Sequence, residues 1–266
     1  MPQTLRLVAA NAVSLAAGDR LHLLASPAPE LGPCLTAADG RLPRLTAGTR
    51  LTPVAGGPQL LAVGVFSRPG QADAPAGRVV VAKALADGKL AAGNCDCQVE
   101  KTGLALAWIT LSDKGSQGLR LDAAGPAIAE TCAAALPIAL AQGHIIPDEP
   151  RELTALLVDL AITQGFDLVV TTGGTGLSPR DTTPEATLAA IEKRLPGFEA
   201  AMLAASLAKT RHAMLSRAVA GTLGQAIIVN VPGSPKAVRE TLAAILPAIP
   251  HGLDKLRGDP ADCAQA

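Results

Sequence analysis

Residues 166–184 read Phe166-Asp167-Leu168-Val169-Val170-Thr171-Thr172-Gly173-Gly174-Thr175-Gly176-Leu177-Ser178-Pro179-Arg180-Asp181-Thr182-Thr183-Pro184. The run opens on apolar residues without alternation, the pattern of a strand buried on both faces. It passes through a glycine-rich loop and ends on a helix start, with Thr183 as cap and Pro184 at the first helical position, where the missing N–H costs nothing. The same rhythm recurs on either side. Residues 104–111 form a continuous apolar strand, and Asp122 caps a helix running to about Leu136. A helix from Pro150 ends at Gly165, with Leu153, Leu156, Leu157 and Leu160 in one stripe. The Thr183 helix carries Leu188, Ile191 and Leu195 on one face, and another helix follows from about Glu199. A strand at 225–231 leads through Pro232-Gly233-Ser234-Pro235 into the last helix. This alternation predicts an α/β fold over 103–266: a doubly wound, mostly parallel sheet with helices on both faces.

Upstream the rhythm differs. Short Val- and Leu-rich runs at 5–8, 20–24, 49–54, 60–66 and 78–82 are separated by Gly and Pro, with turn signals at Ala17-Gly18-Asp19 and Asp39-Gly40. Such spacing predicts a small β-rich domain over 1–98. Residues 67–77 read as a polar Pro/Gly loop. Residues 91–102, which hold Cys95-Asp96-Cys97, read as the join between the two parts.

The whole chain has 266 residues, which suits one large or two modest domains. Lys and Arg number 23 against 23 Asp and Glu, and three Phe, one Trp and no Tyr are present. Balanced charge gives no attraction toward phosphate backbones, and so few aromatics leave no platform for stacking bases, which excludes a nucleic-acid binder. Apolar residues make up 48% of the chain, yet no stretch approaches the ~20 uncharged apolar residues of a membrane span. Arg6 and Asn11 interrupt the Ala- and Leu-rich start too early for a secretory segment. The five cysteines, with Cys34, Cys132 and Cys263 far apart, lack the spacing of a disulfide scaffold. A cytoplasmic protein is expected.

In open α/β sheets ligands bind beyond the carboxyl ends of the strands, where loops converge and helix N-termini present free N–H groups. That rule selects Ser112-Asp113-Lys114-Gly115, Pro147-Asp148-Glu149, Gly173-Gly174-Thr175-Gly176 and Pro232-Gly233-Ser234-Pro235, all on one edge. The glycine loop suits phosphate, because its backbone can approach an anion closely; the alternative is a plain tight turn with glycines for geometry. It is neither a Gly-x4-Gly-Lys-[Ser/Thr] loop nor a Gly-x-Gly-x-x-Gly fingerprint. Asp148 and Asp181 stand near helix starts, where a carboxylate serves as a cap. Two carboxylates beside a phosphate cradle also suit Mg²⁺ during nucleotidyl transfer, with Asp113 a third candidate. Cys95 and Cys97 lack the further ligands a zinc site needs.

These residues carry a resemblance. Thr171-Thr172-Gly173-Gly174-Thr175-Gly176, then Arg180-Asp181-x-Thr183-Pro184, with Ser112-Asp113, Ile146-Pro147-Asp148-Glu149, Pro196-Gly197-Phe198, Ser216-Arg217 and Asn230-x-Pro232-Gly233-x-Pro235, resemble the MogA/MoaB family of molybdopterin adenylyltransferases over about 104–258. The resemblance implies an enzyme of molybdenum cofactor biosynthesis. Molybdopterin and ATP would be its substrates, adenylylated molybdopterin and pyrophosphate its products, and Mg²⁺ its cofactor. It places Asp148 and Asp181 as the catalytic, metal-holding pair. It places Ser112, Asp113, Thr172, Gly173, Gly174, Thr175, Gly176, Arg180, Ser216, Arg217, Pro232, Gly233 and Ser234 at the substrates. It implies a homotrimer, or a hexamer built from trimers, and a downstream metal-insertion protein as partner. The alternative function is a non-catalytic molybdopterin-binding or carrier module of the MoaB type. The hairpin rhythm of the first hundred residues faintly resembles the β-rich MOSC domains.

Overall fold

The computed structural model describes residues 3–70 and 75–260. The chain divides into two units, Met1–Gly103 and Leu104–Ala266. Cys263 and positions 71–74 of the expected 67–77 loop lie outside the described residues.

The first unit contains β1 (Gln3–Ala9), β2 (Val13–Leu15), β3 (Arg20–Leu24), β4 (Cys34–Ala37), β5 (Arg50–Pro53), β6 (Leu60–Arg68), β7 (Gly77–Ala84), β8 (Gly88–Leu90) and β9 (Gly93–Glu100). Seven of these close a barrel in the order β1-β4-β3-β7-β6-β5-β9, with β2 and β8 as a separate ladder. Neighbours run antiparallel except β3 and β4. Inward residues such as Leu7, Leu23, Leu35, Leu51, Leu60 and Val80 form its core. Gly18 and Gly40 take positive φ at the two expected turns.

Two expectations need correction here. Residues 91–102 are not a linker. Strand β9 occupies most of that stretch and pairs with β1 from Gln3↔Val99 to Ala9↔Gly93, and with β5 on its other side. Its small residues alternate, Cys95 and Cys97 buried and Asn94 and Gln98 exposed, which is the two-residue period of a strand. The two thiols pack in the barrel interior with their Sγ atoms 3.8 Å apart. The second correction concerns 67–77, into which β6 and β7 extend as far as Arg68 and from Gly77.

The second unit contains β10 (Leu104–Leu111), α1 (Asp113–Ser116), α2 (Ala124–Ala135), β11 (Ile138–Ile146), α3 (Pro150–Val158), β12 (Leu168–Thr172), α4 (Thr183–Ala190), β13 (Lys193–Arg194), α5 (Pro196–Leu207), β14 (Ala220–Leu223), β15 (Ala226–Val231), α6 (Pro235–Ile245) and α7 (Ile249–Leu256). The sheet order is β11-β10-β12-β15-β14-β13. The first four strands are parallel, β14 runs opposite to β15 and β13 opposite to β14, so the sheet is mixed. One face packs Leu106, Val170 and Val229 against Ile128, Cys132, Val238, Leu242, Ile249 and Leu253 of α2, α6 and α7. On the other face α4 meets β15, where Asn230 Nδ2 donates to Thr187 Oγ1 at 2.9 Å. Both faces of β12 and β15 are therefore buried, which is why their sequences do not alternate.

Local chemistry sets the helix ends. Helix α3 begins at Pro150, continues as a π-helical turn over Asp159–Gln164, and stops at Gly165 with φ 73°. Asp122 Oδ1 accepts from the amides of Ala124 and Gly125, as its capping role requires. Thr183, in contrast, does not cap its helix. Its hydroxyl donates to the Gly173 carbonyl at 2.9 Å, and α4 ends at Ala190, so Leu188, Ile191 and Leu195 do not share one helix face. The bulk of Trp108 on β10 fits because Gly125 and Gly143 face it; a Cβ on either would overlap the indole.

Asn230 is fully buried. Its amide donates to Thr171 Oγ1 (2.8 Å) and Thr187 Oγ1 (2.9 Å), and its Oδ1 accepts from the Val219 amide (3.2 Å). Replacing it with Ala strands those partners away from water, and Asn230→Ala is expected to cost about 3 kcal/mol. Urea unfolding followed by circular dichroism reads this; a loss under about 0.5 kcal/mol, the scale of an ordinary surface change, would refute it.

Candidate active site at the switch of strand order

Strand β10 connects to β11 on one side, and the chain then crosses back to β12 on the other. The reversal opens a crevice beyond the carboxyl ends of β10 and β12, the usual ligand position in such sheets. A cleft of about 220 Å³ lies there, lined by Thr110, Ser112, Asp122, Thr172, Gly173 and Gly233 among others. A larger cleft of about 780 Å³ is lined by Thr175, Gly176, Met202, Ser216, Arg217 and Pro232 among others. The glycine loop contributes to both, Gly173 to the smaller and Thr175 and Gly176 to the larger.

The loop conformation depends on its glycines. Gly173 has φ 97° and Gly174 φ 62°, left-handed values that side chains disfavour. A Cβ on Gly173 would lie 2.6 Å from the Leu111 carbonyl oxygen, and one on Gly174 would overlap Thr183 Oγ1. Gly176 has no positive φ, but a Cβ there would stand 2.8 Å from Asp181 Oδ2. The loop is therefore pressed against protein at three of its four positions.

All four strand-end segments meet at this edge. The Asp113 amide donates to Asp148 Oδ2 and the Asp148 amide to Asp113 Oδ1, each at 3.1 Å, a reciprocal pair that joins the ends of β10 and β11. Arg180 crosses from the third segment. Its Nη2 reaches both oxygens of Asp113 (2.8 and 2.9 Å) and its Nη1 reaches Glu149 Oε1 (3.0 Å). Thr172 Oγ1 donates to the Pro232 carbonyl at 2.8 Å, binding the third segment to the fourth. Ser112 and Ser234 cap α1 and α6 through Gly115 and Ala237. The free N–H groups of α6 therefore open on the same edge, where they favour an anion.

The two carboxylates expected to act as a pair both border the glycine loop, Asp148 Oδ1 beside Gly174 and Asp181 Oδ2 beside Gly176. Burial raises the Asp148 pKa; the Asp113 amide and the Arg180 charge oppose this, and the Asp113 and Asp181 charges add to it. Asp113 is shifted the other way, first by the Asp148 amide and then by Arg180. Asp181 Oδ2 accepts from the Ser178 amide at 2.9 Å. Among the described residues no group of three or more His, Cys, Asp or Glu could hold a metal ion. Two carboxylates completed by phosphate oxygens and water are nonetheless the ordinary setting of Mg²⁺. An acidic side chain that burial makes reluctant to ionise also gains from a cation nearby. Asp148 and Asp181, which both border the glycine loop, are the carboxylates that could hold such an ion.

Residues 107–251 match the family described as "Probable molybdopterin binding domain". The chain belongs to this molybdopterin-binding family. The matched residues all lie in the second unit. Among relatives, molybdopterin adenylyltransferase of Helicobacter pylori (strain J99) is 41% identical over 152 residues, 57% of this chain and 86% of that protein. Gephyrin of Dictyostelium discoideum is 38% identical over 161 residues, 57% of this chain but 22% of that longer protein. The crystal structure of the molybdopterin biosynthesis enzyme MoaB from Thermus thermophilus is 43% identical, with a TM-score of 0.55 over 60% of this chain and 99% of that one.

Within this molybdopterin-binding unit, several expected site residues have protein partners. Arg217 engages Gly176, Asp181 and Glu185, and Ser216 accepts from the Ala218 amide at 3.4 Å. Thr110 and Glu185 escaped the sequence reading. Thr110 stands two positions before Ser112 on β10, so strand period places both on the same side, and its hydroxyl donates to Asp122 Oδ2 at 2.8 Å. Glu185 follows Thr183-Pro184 in the first turn of α4 and looks like an ordinary helix-start acid. Its partner is 32 positions away, which no local pattern reveals.

These contacts set the expected behaviour of three variants. Gly174→Ala is expected to lower the melting temperature, because it combines positive φ with overlap on Thr183, whereas Gly176→Ala is expected to displace Asp181 at small cost in stability. Thermal melts of both variants compare them, and an equal loss in each would contradict the assignment. For Asp148, a folded pKa above the unfolded one means stability that is present at low pH and lost as pH rises through the folded value. Asp148→Asn is therefore expected to melt no lower than the parent at pH 7, with the advantage gone below about pH 4. A clear drop at pH 7 would show that burial is not the governing cause.

Proposed function

We propose that this chain is a molybdopterin adenylyltransferase of molybdenum cofactor biosynthesis, transferring AMP from ATP to molybdopterin with release of pyrophosphate. The observation that carries the reading is the placement of Asp148 and Asp181 against successive parts of one glycine loop, at the switch of strand order, in a chain of the molybdopterin-binding family. Adenylylation requires two ligands to meet at one phosphorus, and the loop lines two clefts.

The roles follow from the contacts. Backbone groups of 173–176 and the N-terminus of α6 attract phosphate. Ser112, Thr172 and Gly233 shape the smaller cleft; Thr175, Gly176, Ser216 and Pro232 shape the larger. Asp148 and Asp181 would hold Mg²⁺, which neutralises charge on the phosphates when bound. Arg180 lies on carboxylates Asp113 and Glu149, poised to trade them for an incoming polyphosphate. A cytoplasmic homotrimer or hexamer, passing its product to a metal-insertion protein, completes the reading. Among the described residues no helix is long and apolar enough to cross a membrane.

Incubation with molybdopterin, ATP and Mg²⁺ tests the reaction: one pyrophosphate should appear for each adenylylated product. A carrier would retain molybdopterin on gel filtration and release none. Asp148→Asn and Asp181→Asn keep size and an oxygen that accepts from the Asp113 and Ser178 amides but remove charge. Each is expected to slow turnover by about 10²-fold, ~2.7 kcal/mol of barrier, while still retaining molybdopterin. Near-normal turnover in both would remove the catalytic assignment.

A further inference from the structure

Arg217 lies outside the glycine loop in sequence, yet its polar groups converge on it. Its amide donates to the Thr175 carbonyl at 3.0 Å. Nε donates to the Gly176 carbonyl at 2.9 Å and Nη2 to the Asp181 carbonyl at 2.6 Å. Nη1 pairs with the Glu185 carboxylate. One side chain thus spans the segment from the glycine loop to the first turn of α4.

From this geometry we infer that Arg217, although it also lines the larger cleft, is a positioning residue: it sets the Asp181 carboxylate against the glycine loop. The role rests on the adenylyl-transfer reading above. A guanidinium bound to two carbonyls and a carboxylate has its donor fork directed at protein, and a planar fork fixes angles as well as distances. The two carbonyls belong to Gly176 and Asp181, the same residues whose approach brings Asp181 Oδ2 into the loop. Removing the fork lets that approach widen. Glu185 holds the guanidinium from the far side and supports the same arrangement indirectly.

The test combines kinetics with hydrogen exchange on the full chain. Arg217→Lys keeps the charge and loses the fork. It is expected to lower turnover by about 10²-fold, the scale of a small misplacement of a reacting group, and to leave the KM for ATP and for molybdopterin within about 2-fold. The Mg²⁺ concentration giving half-maximal turnover should rise by about 5-fold or more, because one metal-holding carboxylate is displaced. Without any ligand, the amides of Asp181 and Thr183, bonded to the Ser178 and Gly174 carbonyls, should exchange about 10-fold faster than in the parent. Glu185→Gln should move every readout in the same direction by less. A raised KM with unchanged exchange and an unchanged Mg²⁺ midpoint would overturn the proposal and assign Arg217 to substrate. Should the parent release no pyrophosphate, the adenylyl-transfer reading falls on its own, and unchanged exchange in Arg217→Lys would then overturn the positioning role separately.

Discussion

One buried amide sets the frame for the candidate site. Asn230 stands opposite Thr171 in the parallel pairing of β12 and β15, and its bonds reach Thr171 just before the glycine loop and Thr187 in α4, the helix that follows the loop. The strand before the loop and the helix after it are therefore referred to the same side chain. Because strand period is two, a slip of one residue along β15 would turn Asn230 to the opposite face and leave three polar groups without partners. Apolar packing alone would tolerate neighbouring registers among so many Val and Ile residues; the amide does not. Downstream of Asn230 the chain runs directly into Pro232 and Gly233, so the fourth segment of the site inherits the same registration.

Above that frame the site is built from contacts between loops. Asp113 and Asp148 exchange backbone donors, Arg180 spans two acidic residues from different segments, and Thr183 gives up a capping role to hold the Gly173 carbonyl. Each contact joins residues well separated in sequence. The exposed ion pairs contribute little to stability individually. What they supply is placement, keeping two carboxylates beside a loop whose left-handed glycines let the backbone come close to an anion.

Much of this is legible in the sequence, for identifiable reasons. The non-alternating run Leu168-Val169-Val170, Pro150 at a helix start and Gly165 at its end are local signals, and the structure carries each where expected. The meeting of Asp148 and Asp181 at one loop follows from the rule that ligands gather beyond strand ends. What escapes is chemistry whose partner is remote. Thr183 looks like a cap because the group that draws its hydroxyl away is a carbonyl across the loop. Glu185 looks solvated because Arg217 is distant in sequence. Strand β9 looks like a linker because its inward residues are cysteines, small and not usually counted as strand formers, while Asp96 gives it the look of a turn.

The glycine notch around Trp108 has a spectroscopic consequence. The chain has one tryptophan and no tyrosine, and that indole lies on β10, facing Gly125 and Gly143. Intrinsic fluorescence from this protein is therefore the signal of a single position in the α/β unit, two residues from Thr110 at the smaller cleft. The β-barrel has no indole or phenol of its own and is dark at those wavelengths. Changes in the emission report the α/β unit alone, with no label attached and no background from the other half of the chain.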